Sequence, residues 1–148
     1  MKRDRAQQEI CKAMIRGHRV YRYVLNEEEI GVAEGERGYA FRLEECVFDV
    51  SKLLEPEGRN IFEFTREDSP LERTPLLLVY GGALVRRYKG SDFSIFISEK
   101  YAKEFEDEYF FGSKEGDRVL ITDAARKPVG VVAPIFADEG MLRAIMGE

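Results

Sequence analysis

The sequence predicts an α+β fold built mainly on antiparallel β-sheet, with about eight or nine short strands and three helices. Short runs of alternating apolar and polar residues recur along the chain, and brief turn sequences such as Gly81-Gly82 separate them. Strands joined by such short turns pair antiparallel, because parallel pairing requires long crossover connections. Three further segments repeat their apolar residues every three or four positions, which is typical of helices.

The first half of the chain begins with a helix. Asp4 can cap it, Gly17 ends it, and an apolar face includes Ile10 and Met14. Residues 39–45 alternate as in a strand, yet their flanking sequence also allows a short helix, so both interpretations stay open. The other elements expected here are strands over residues 18–25 and 30–33, and a helical turn over 51–54 that ends at Glu55-Pro56.

The second half predicts a series of strands around one helix. Gly81-Gly82 forms a two-residue hairpin turn, because both glycines accept positive φ, and Ser98 caps a middle helix over residues 98–107. Asp138 begins a short C-terminal helix over residues 138–147. The expected strands cover residues 60–65, 75–80, 83–89, 93–97, 119–122 and 129–135.

Length and composition fit one globular domain over residues 1–148. With 44% hydrophobic and 11% aromatic residues, the chain can bury a substantial core and is not globally disordered. Two cysteines and one histidine exclude a disulfide framework, a four-thiolate zinc site and any site that needs two histidines. The shared core is expected to contain Tyr21, Tyr39, Phe64, Leu78, Ile95, Phe105, Ile121 and Val131.

An internal duplication is a further expectation from the sequence. Arg22-Tyr23 matches Arg87-Tyr88, and Tyr39-Ala40 matches Tyr101-Ala102 after a gap, which gives pseudo-repeat units over residues 20–80 and 85–133. If the repeat is real, residues 39–46 form a short helix like residues 98–107. The element order strand–helix–strand–strand–strand then resembles the repeat unit of DNA sliding-clamp domains. That resemblance covers element order alone, and the acidic middle helix does not carry over a DNA-encircling function.

No segment predicts membrane insertion or export. The longest apolar run, residues 75–80, is far shorter than the ~20 residues that span a bilayer. The N-terminus has basic residues but no apolar stretch of the kind that a secretory signal needs. We therefore expect a cytoplasmic protein with no membrane partner.

Catalytic and cofactor motifs are missing from the sequence. It contains no dinucleotide-binding or Walker glycine pattern, no nucleophile elbow, no H-E-x-x-H and no C-x-x-C. Cys11 and Cys46 fit small core residues better than nucleophiles, and His18 fits a residue that caps a helix or lies on the surface. We therefore expect no cofactor, no metal and no enzymatic activity.

The leading functional hypothesis is a non-enzymatic accessory protein that binds another macromolecule, most simply a protein or a second copy. The acidic residues at the end of the middle helix lie where the helix dipole disfavours them, which can indicate a binding surface. The C-terminal helix carries an apolar stripe with two adaptable methionines. The candidate partner surface consists of Glu104, Glu106, Asp107, Glu108, Met141, Leu142, Ile145 and Met146.

Two alternatives from other functional classes stay open. The chain has a formal net charge of -5, yet residues 1–22 contain seven basic and two acidic residues, which would suit nucleic acid. That candidate nucleic-acid surface consists of Lys2, Arg3, Arg5, Lys12, Arg16, Arg19 and Arg22. The second alternative is an enzyme with a carboxylate site, which two convergent carboxylates of perturbed pKa in a cleft would favour.

Overall fold

The computed structural model describes residues 3–135, and these contain one nine-stranded antiparallel sheet. The strand order is β1-β2-β3-β9-β8-β7-β4-β5-β6, so the fold class predicted from alternating patterns and short turns is confirmed at the level of antiparallel sheet with helices. The strands are β1 Val20–Val24, β2 Glu29–Glu34, β3 Arg37–Arg42, β4 Ser69–Tyr80, β5 Ala83–Lys89, β6 Ser94–Ser98, β7 Tyr109–Gly112, β8 Val119–Thr122 and β9 Pro128–Val132.

Two α-helices accompany the sheet in the described part of the chain. Helix α1, Arg3–Ile15, buries Ala6, Ile10 and Ala13 against the sheet. The Gln7 amide ties it to the segment after β3, because it donates to Glu45 O at 2.7 Å and accepts from Val47 N–H at 2.6 Å. Helix α2 covers Glu99–Ala102 and continues as a 3-10 turn, Lys103–Phe105, so the middle helix is shorter than the predicted 98–107. Further 3-10 turns cover Leu43–Glu45 and Val50–Lys52.

Strand β9 joins the first three strands of the sheet to the other five, because it pairs with β3 on one side and with β8 on the other. Other segments bond to the two terminal strands of the sheet. Leu54 forms a bridge to β1 at Tyr21, and Ile135 forms a bridge to β6 at Phe96. No helix among residues 3–135 is long and apolar enough to span a membrane.

The core lies on both faces of the sheet. The main cluster, under α1, contains four of the residues predicted as core: Tyr39, Ile95, Phe105 and Ile121. Val131 belongs instead to a smaller cluster with Phe62 and Leu120, because successive residues of a strand point to opposite faces. The prediction of one shared core was wrong for Phe64, which is exposed, while Tyr21 and Leu78 are half-buried.

Residues 60–65 do not form the predicted strand. The Asn60 side chain accepts a hydrogen bond from Phe62 N–H and donates to Val24 O, which folds the backbone into a turn. Phe62 is buried from that turn against Gly31, where a Cβ would lie 2.5 Å from the ring. Conversely, β7 was not predicted, although its Phe110 and Phe111 are buried.

The internal duplication is not confirmed. Residues 39–46 contain the end of β3 and the 3-10 turn Leu43–Glu45, whereas residues 98–107 contain α2. The two segments that the repeat aligns are thus different kinds of element. The clamp-like element order, which depended on a helix at residues 39–46, has no counterpart in the first half.

Candidate protein-docking site

The β4–β5 hairpin extends beyond its neighbours in the sheet. Strand β4 has 12 residues, but β7 pairs with it only at Ser69, Pro70 and Leu71. On the other side, β6 pairs with β5 from Val85 onward. Residues 77–84 therefore project as a two-stranded ribbon with no third strand among the described residues.

A two-residue turn closes the ribbon. Gly81 and Gly82 have φ angles of 57° and 82°, and they connect the paired residues Tyr80 and Ala83. Two successive residues with positive φ form the type I′ turn, whose twist matches that of the flanking strands. The glycines thus hold the hairpin in a regular, tightly paired form out to its end.

One face of this hairpin is apolar and open to solvent. Val79 and Leu84 are directly opposite each other, and Leu77 shares their face. Their exposed fractions are 69%, 52% and 40%, and Tyr80 beside the turn is 40% exposed. We call Leu77, Val79 and Leu84 the hairpin patch. Exposed apolar patches on a protein surface are candidate binding sites, so the hairpin patch is the candidate docking surface among the described residues.

The base of the hairpin is held by a charged pair. Arg86 donates to both carboxylate oxygens of Glu99, at 2.7 and 3.0 Å, and to Thr74 O at 2.9 Å. The hydrogen bonds from Arg86 lower the pKa of Glu99, so this carboxylate stays ionised. The contact joins β5, β4 and α2 where the ribbon leaves the body. The hairpin patch is therefore presented on an anchored element.

The predicted acidic surface does not form one surface. Glu104 lies inside, with its side chain 7% exposed, where it accepts from Arg37 at 3.1 Å and from Tyr39 Oη at 2.8 Å. Glu106 and Asp107 are exposed, and Glu108 is half-buried. Glu104 is corrected to a buried ion-pair residue, because Arg37 compensates the charge that the helix dipole disfavours.

Three carboxylates converge on Arg37. Its guanidinium lies 2.5 Å from Glu9, 3.1 Å from Glu104 and 3.7 Å from Glu34. Burial raises the pKa of Glu34, whose Oε2 atom makes no hydrogen bond. Burial also raises the pKa of Tyr39, and the adjacent Glu104 carboxylate raises it further. The carboxylates thus bind a buried guanidinium that joins α1 to β3 and the 3-10 turn after α2.

Of the basic residues proposed as a nucleic-acid surface, those that the structure describes lie on and after α1 and on β1. The side chains of Arg5, Lys12, Arg16 and Arg19 are exposed. Lys12 lies 3.6 Å from Glu9, and Arg22 pairs with Glu55 across from β1. Arg3 begins α1, and Lys2 lies outside the described residues. The apolar stripe of Met141, Leu142, Ile145 and Met146 also lies outside the described residues.

A cleft of about 710 Å³ is lined by interleaved acidic and basic side chains, among them Asp68 and Arg118, but these two bond to each other. Among residues 3–135, no group of three or more His, Cys, Asp or Glu side chains is arranged so that it could hold a metal ion. Burial raises the pKa of the Cys46 thiol to about 11, so it is protonated at neutral pH and poorly nucleophilic.

The hairpin patch was missed in the sequence because its signal is ambiguous. Residues 75–80 are apolar at every position, which predicts a strand buried on both faces. Exposure here arises from a mismatch of strand lengths, since β4 is three times as long as its neighbour β7.

No family model, curated protein or solved structure matches this chain.

Proposed function

We propose that this chain is a non-enzymatic protein-interaction module whose docking element is the β4–β5 hairpin. The hairpin patch carries the proposal: three large aliphatic side chains share one solvent-exposed face of a projecting ribbon. Apolar patches of this kind on soluble proteins mark interaction sites. Its placement on an anchored ribbon favours a docking function, because a preorganised element loses less entropy on binding.

The charge distribution around the hairpin favours a protein partner. Residues 75–85 contain no charged side chain, whereas a nucleic-acid contact needs several cations close to the phosphates. The nearest cation on the same face, Arg86, is already bonded to Glu99. We propose cytoplasmic binding of an uncharged, apolar protein surface at this site.

Site-specific photo-cross-linking tests the proposal. A photoreactive residue replaces Val79 in the full chain, expressed in the cells of origin, and a matched chain carries it at Val47, which is 83% exposed but lies outside the hairpin. We expect a cross-linked protein adduct from position 79 that Leu84→Lys abolishes. Position 47 should give none. An adduct that persists in Leu84→Lys, or no adduct, overturns the proposal.

Nucleic-acid binding is the second candidate, and the arrangement of α1 favours it. Arg5 and Lys12 lie seven residues apart on α1, and Arg16 follows the helix four residues later, with its N–H bonded to Lys12 O at 3.1 Å, so the three share one side and all are exposed. Fluorescence anisotropy with a labelled duplex and a labelled single strand tests it. Binding that weakens with added salt, and that Arg5→Gln/Arg16→Gln removes, would support it; an unchanged anisotropy at micromolar protein would contradict it.

A further inference from the structure

The outer edge of β4 is the uncovered edge of the sheet among residues 3–135. Hydrogen-bonded bridges to Leu54 and to Ile135 partly cover the two terminal strands, β1 and β6. Strand β4 keeps a strand on its β7 side only as far as Leu71. Exposed edges that lack charge are avoided in natural sheets, because they pair with other chains.

The alternation of hydrogen-bonded and non-hydrogen-bonded pairs between β4 and β5 shows which backbone groups of β4 face this edge. Tyr80 and Ala83 flank a two-residue turn, so they form a hydrogen-bonded pair, and such pairs alternate along an antiparallel ribbon. The N–H and C=O groups of Val79 and Leu77 consequently point away from β5. These are also the residues whose side chains belong to the hairpin patch, so backbone and side chains present one continuous docking surface.

We propose that the occupant of this edge is a second copy of the chain, with β4 pairing antiparallel to β4 of that copy about a twofold axis. The inference rests on the proposed function and identifies its partner. Residues 76–80 are uncharged and apolar, so the matching partner strand must be uncharged and apolar as well. The same segment of another copy meets that requirement and gives a closed, isologous contact.

Proline excludes one register of this pairing, and the number of outward-facing residues that can bond selects between the others. A register that places Leu77 opposite its own copy would require Pro75 to donate a hydrogen bond to Val79, and proline has no N–H. If the twofold axis passes through Leu78 instead, Leu77 of each copy lies opposite Val79 of the other. The outward-facing backbone groups of both residues then form hydrogen bonds between the copies. Leu77, Val79 and Leu84 of both copies then form one apolar cluster.

The contact between two hairpins is small, which limits its strength. An interface confined to two hairpins lies below the ~1,200 Å² that stable complexes bury. We therefore expect a weak, reversible dimer that forms in the micromolar range and dissociates on dilution.

Sedimentation velocity of the full chain over a concentration series tests the pairing. Wild-type protein and Val47→Lys should show the same concentration-dependent dimer, and Val79→Lys should weaken dimerisation by about tenfold or more, because it places a charge in the apolar cluster. Val79 is 69% exposed, so this substitution leaves the fold intact. A chain that stays monomeric, or a dimer insensitive to Val79→Lys, overturns the inference.

Disulfide trapping tests the register. Under mild oxidation, a mixture of Leu77→Cys and Val79→Cys chains should give mainly the mixed dimer, since opposite residues lie within the Cα distance that a disulfide spans. Wild-type chain gives the background from Cys11 and Cys46. A predominance of dimers linked through position 77 of both chains, or through position 79 of both chains, would contradict this register.

The photo-cross-link at position 79 separates the two proposals. An adduct of twice the mass of the chain supports both of them. An adduct with a different protein that Leu84→Lys abolishes supports the docking function and overturns self-pairing. A cross-link within one chain, for example to residues 136–148, overturns both, because the patch would then be covered in cis.

Discussion

Arg118 donates to both carboxylate oxygens of Asp68, at 2.8 Å each, and both side chains are almost fully buried. The same guanidinium donates to the backbone carbonyls of Ile61 and Glu63, at 2.9 and 2.7 Å. A planar guanidinium makes such forked contacts without losing alignment, which a lysine cannot do. This one side chain therefore fixes the long segment between the 3-10 turn Val50–Lys52 and β4, and with it the start of β4.

We predict that Asp68→Asn lowers the free energy of unfolding by about 3–5 kcal/mol, because it leaves the Arg118 charge buried without a compensating carboxylate. Urea unfolding followed by circular dichroism measures the change. Asp117→Asn is the matched control, since Asp117 pairs with Arg59 at the surface, and exposed pairs contribute ~1 kcal/mol or less. Equal effects of the two substitutions would contradict a structural role for the buried pair.

The same pair predicts a loss of stability in acid. Burial acts to raise the pKa of Asp68, but hydrogen bonds from Arg118 and Thr65 N–H outweigh it and lower the pKa below its ordinary value. A carboxyl whose pKa is lower in the folded than in the unfolded state stabilises the native state. This contribution is fully present above the unfolded pKa of about 3.9, and it disappears as the pH falls through the folded pKa. As the pH falls below about 5, the free energy of unfolding of wild type should therefore decrease more than that of Asp68→Asn. Unfolding curves recorded at several pH values measure the difference.

The sequence predicted the architecture better than it predicted the surface. Hairpin turns such as Gly81-Gly82 have a local chemical cause, so their positions follow from the residues themselves. The roles of Glu104 and Arg118 depend on partners 67 and 50 residues away, Arg37 and Asp68. No local pattern encodes such contacts. Exposure of the hairpin patch likewise depends on where β7 ends, which is a property of the assembled sheet.

The buried carboxyl of Glu34 should make stability depend on pH in the opposite direction. Burial raises its pKa, and the nearby Arg37 only partly offsets this. A carboxyl whose folded pKa is raised favours the native state below its unfolded pKa of about 4.3, and that advantage is lost as pH rises through the folded value. Glu34→Gln mimics the protonated form, so we expect it to stabilise the protein at pH 7 and to have little effect below pH ~4.

Thermal unfolding at both pH values measures the effect of Glu34→Gln. Glu28→Gln is the control, because Glu28 pairs with Arg42 at the surface, and we expect its effect to be small at both pH values. A Glu34→Gln protein less stable than wild type at pH 7 would show that the ion pair with Arg37 outweighs the cost of burying the carboxylate.

The contact between Gly31 and Phe62 provides the last prediction. A Cβ at Gly31 would lie 2.5 Å from Cδ2 of Phe62, whose ring is 1% exposed and packs edge-on against Tyr23. The ring has no room to withdraw, so Gly31→Ala should lower the free energy of unfolding by about 1–3 kcal/mol through overpacking. At Gly112 the nearest atoms are side-chain ends of Leu71 and Ile95, at 3.2 and 3.3 Å, and Gly112→Ala should cost less.

A double-mutant cycle with Phe62→Leu tests whether the ring is the cause of that loss. Phe62→Leu alone is destabilising, because it removes part of a buried aromatic side chain. If the Cβ–ring clash dominates, Gly31→Ala should cost less in the Phe62→Leu background than in wild type, with a coupling free energy of about 0.5–3 kcal/mol. Additive losses would show that the glycine is required by the backbone of β2 and not by Phe62. Coupling would instead establish that the turn at residues 60–62 is held in place by an aromatic ring lying on a side-chain-free position of the strand.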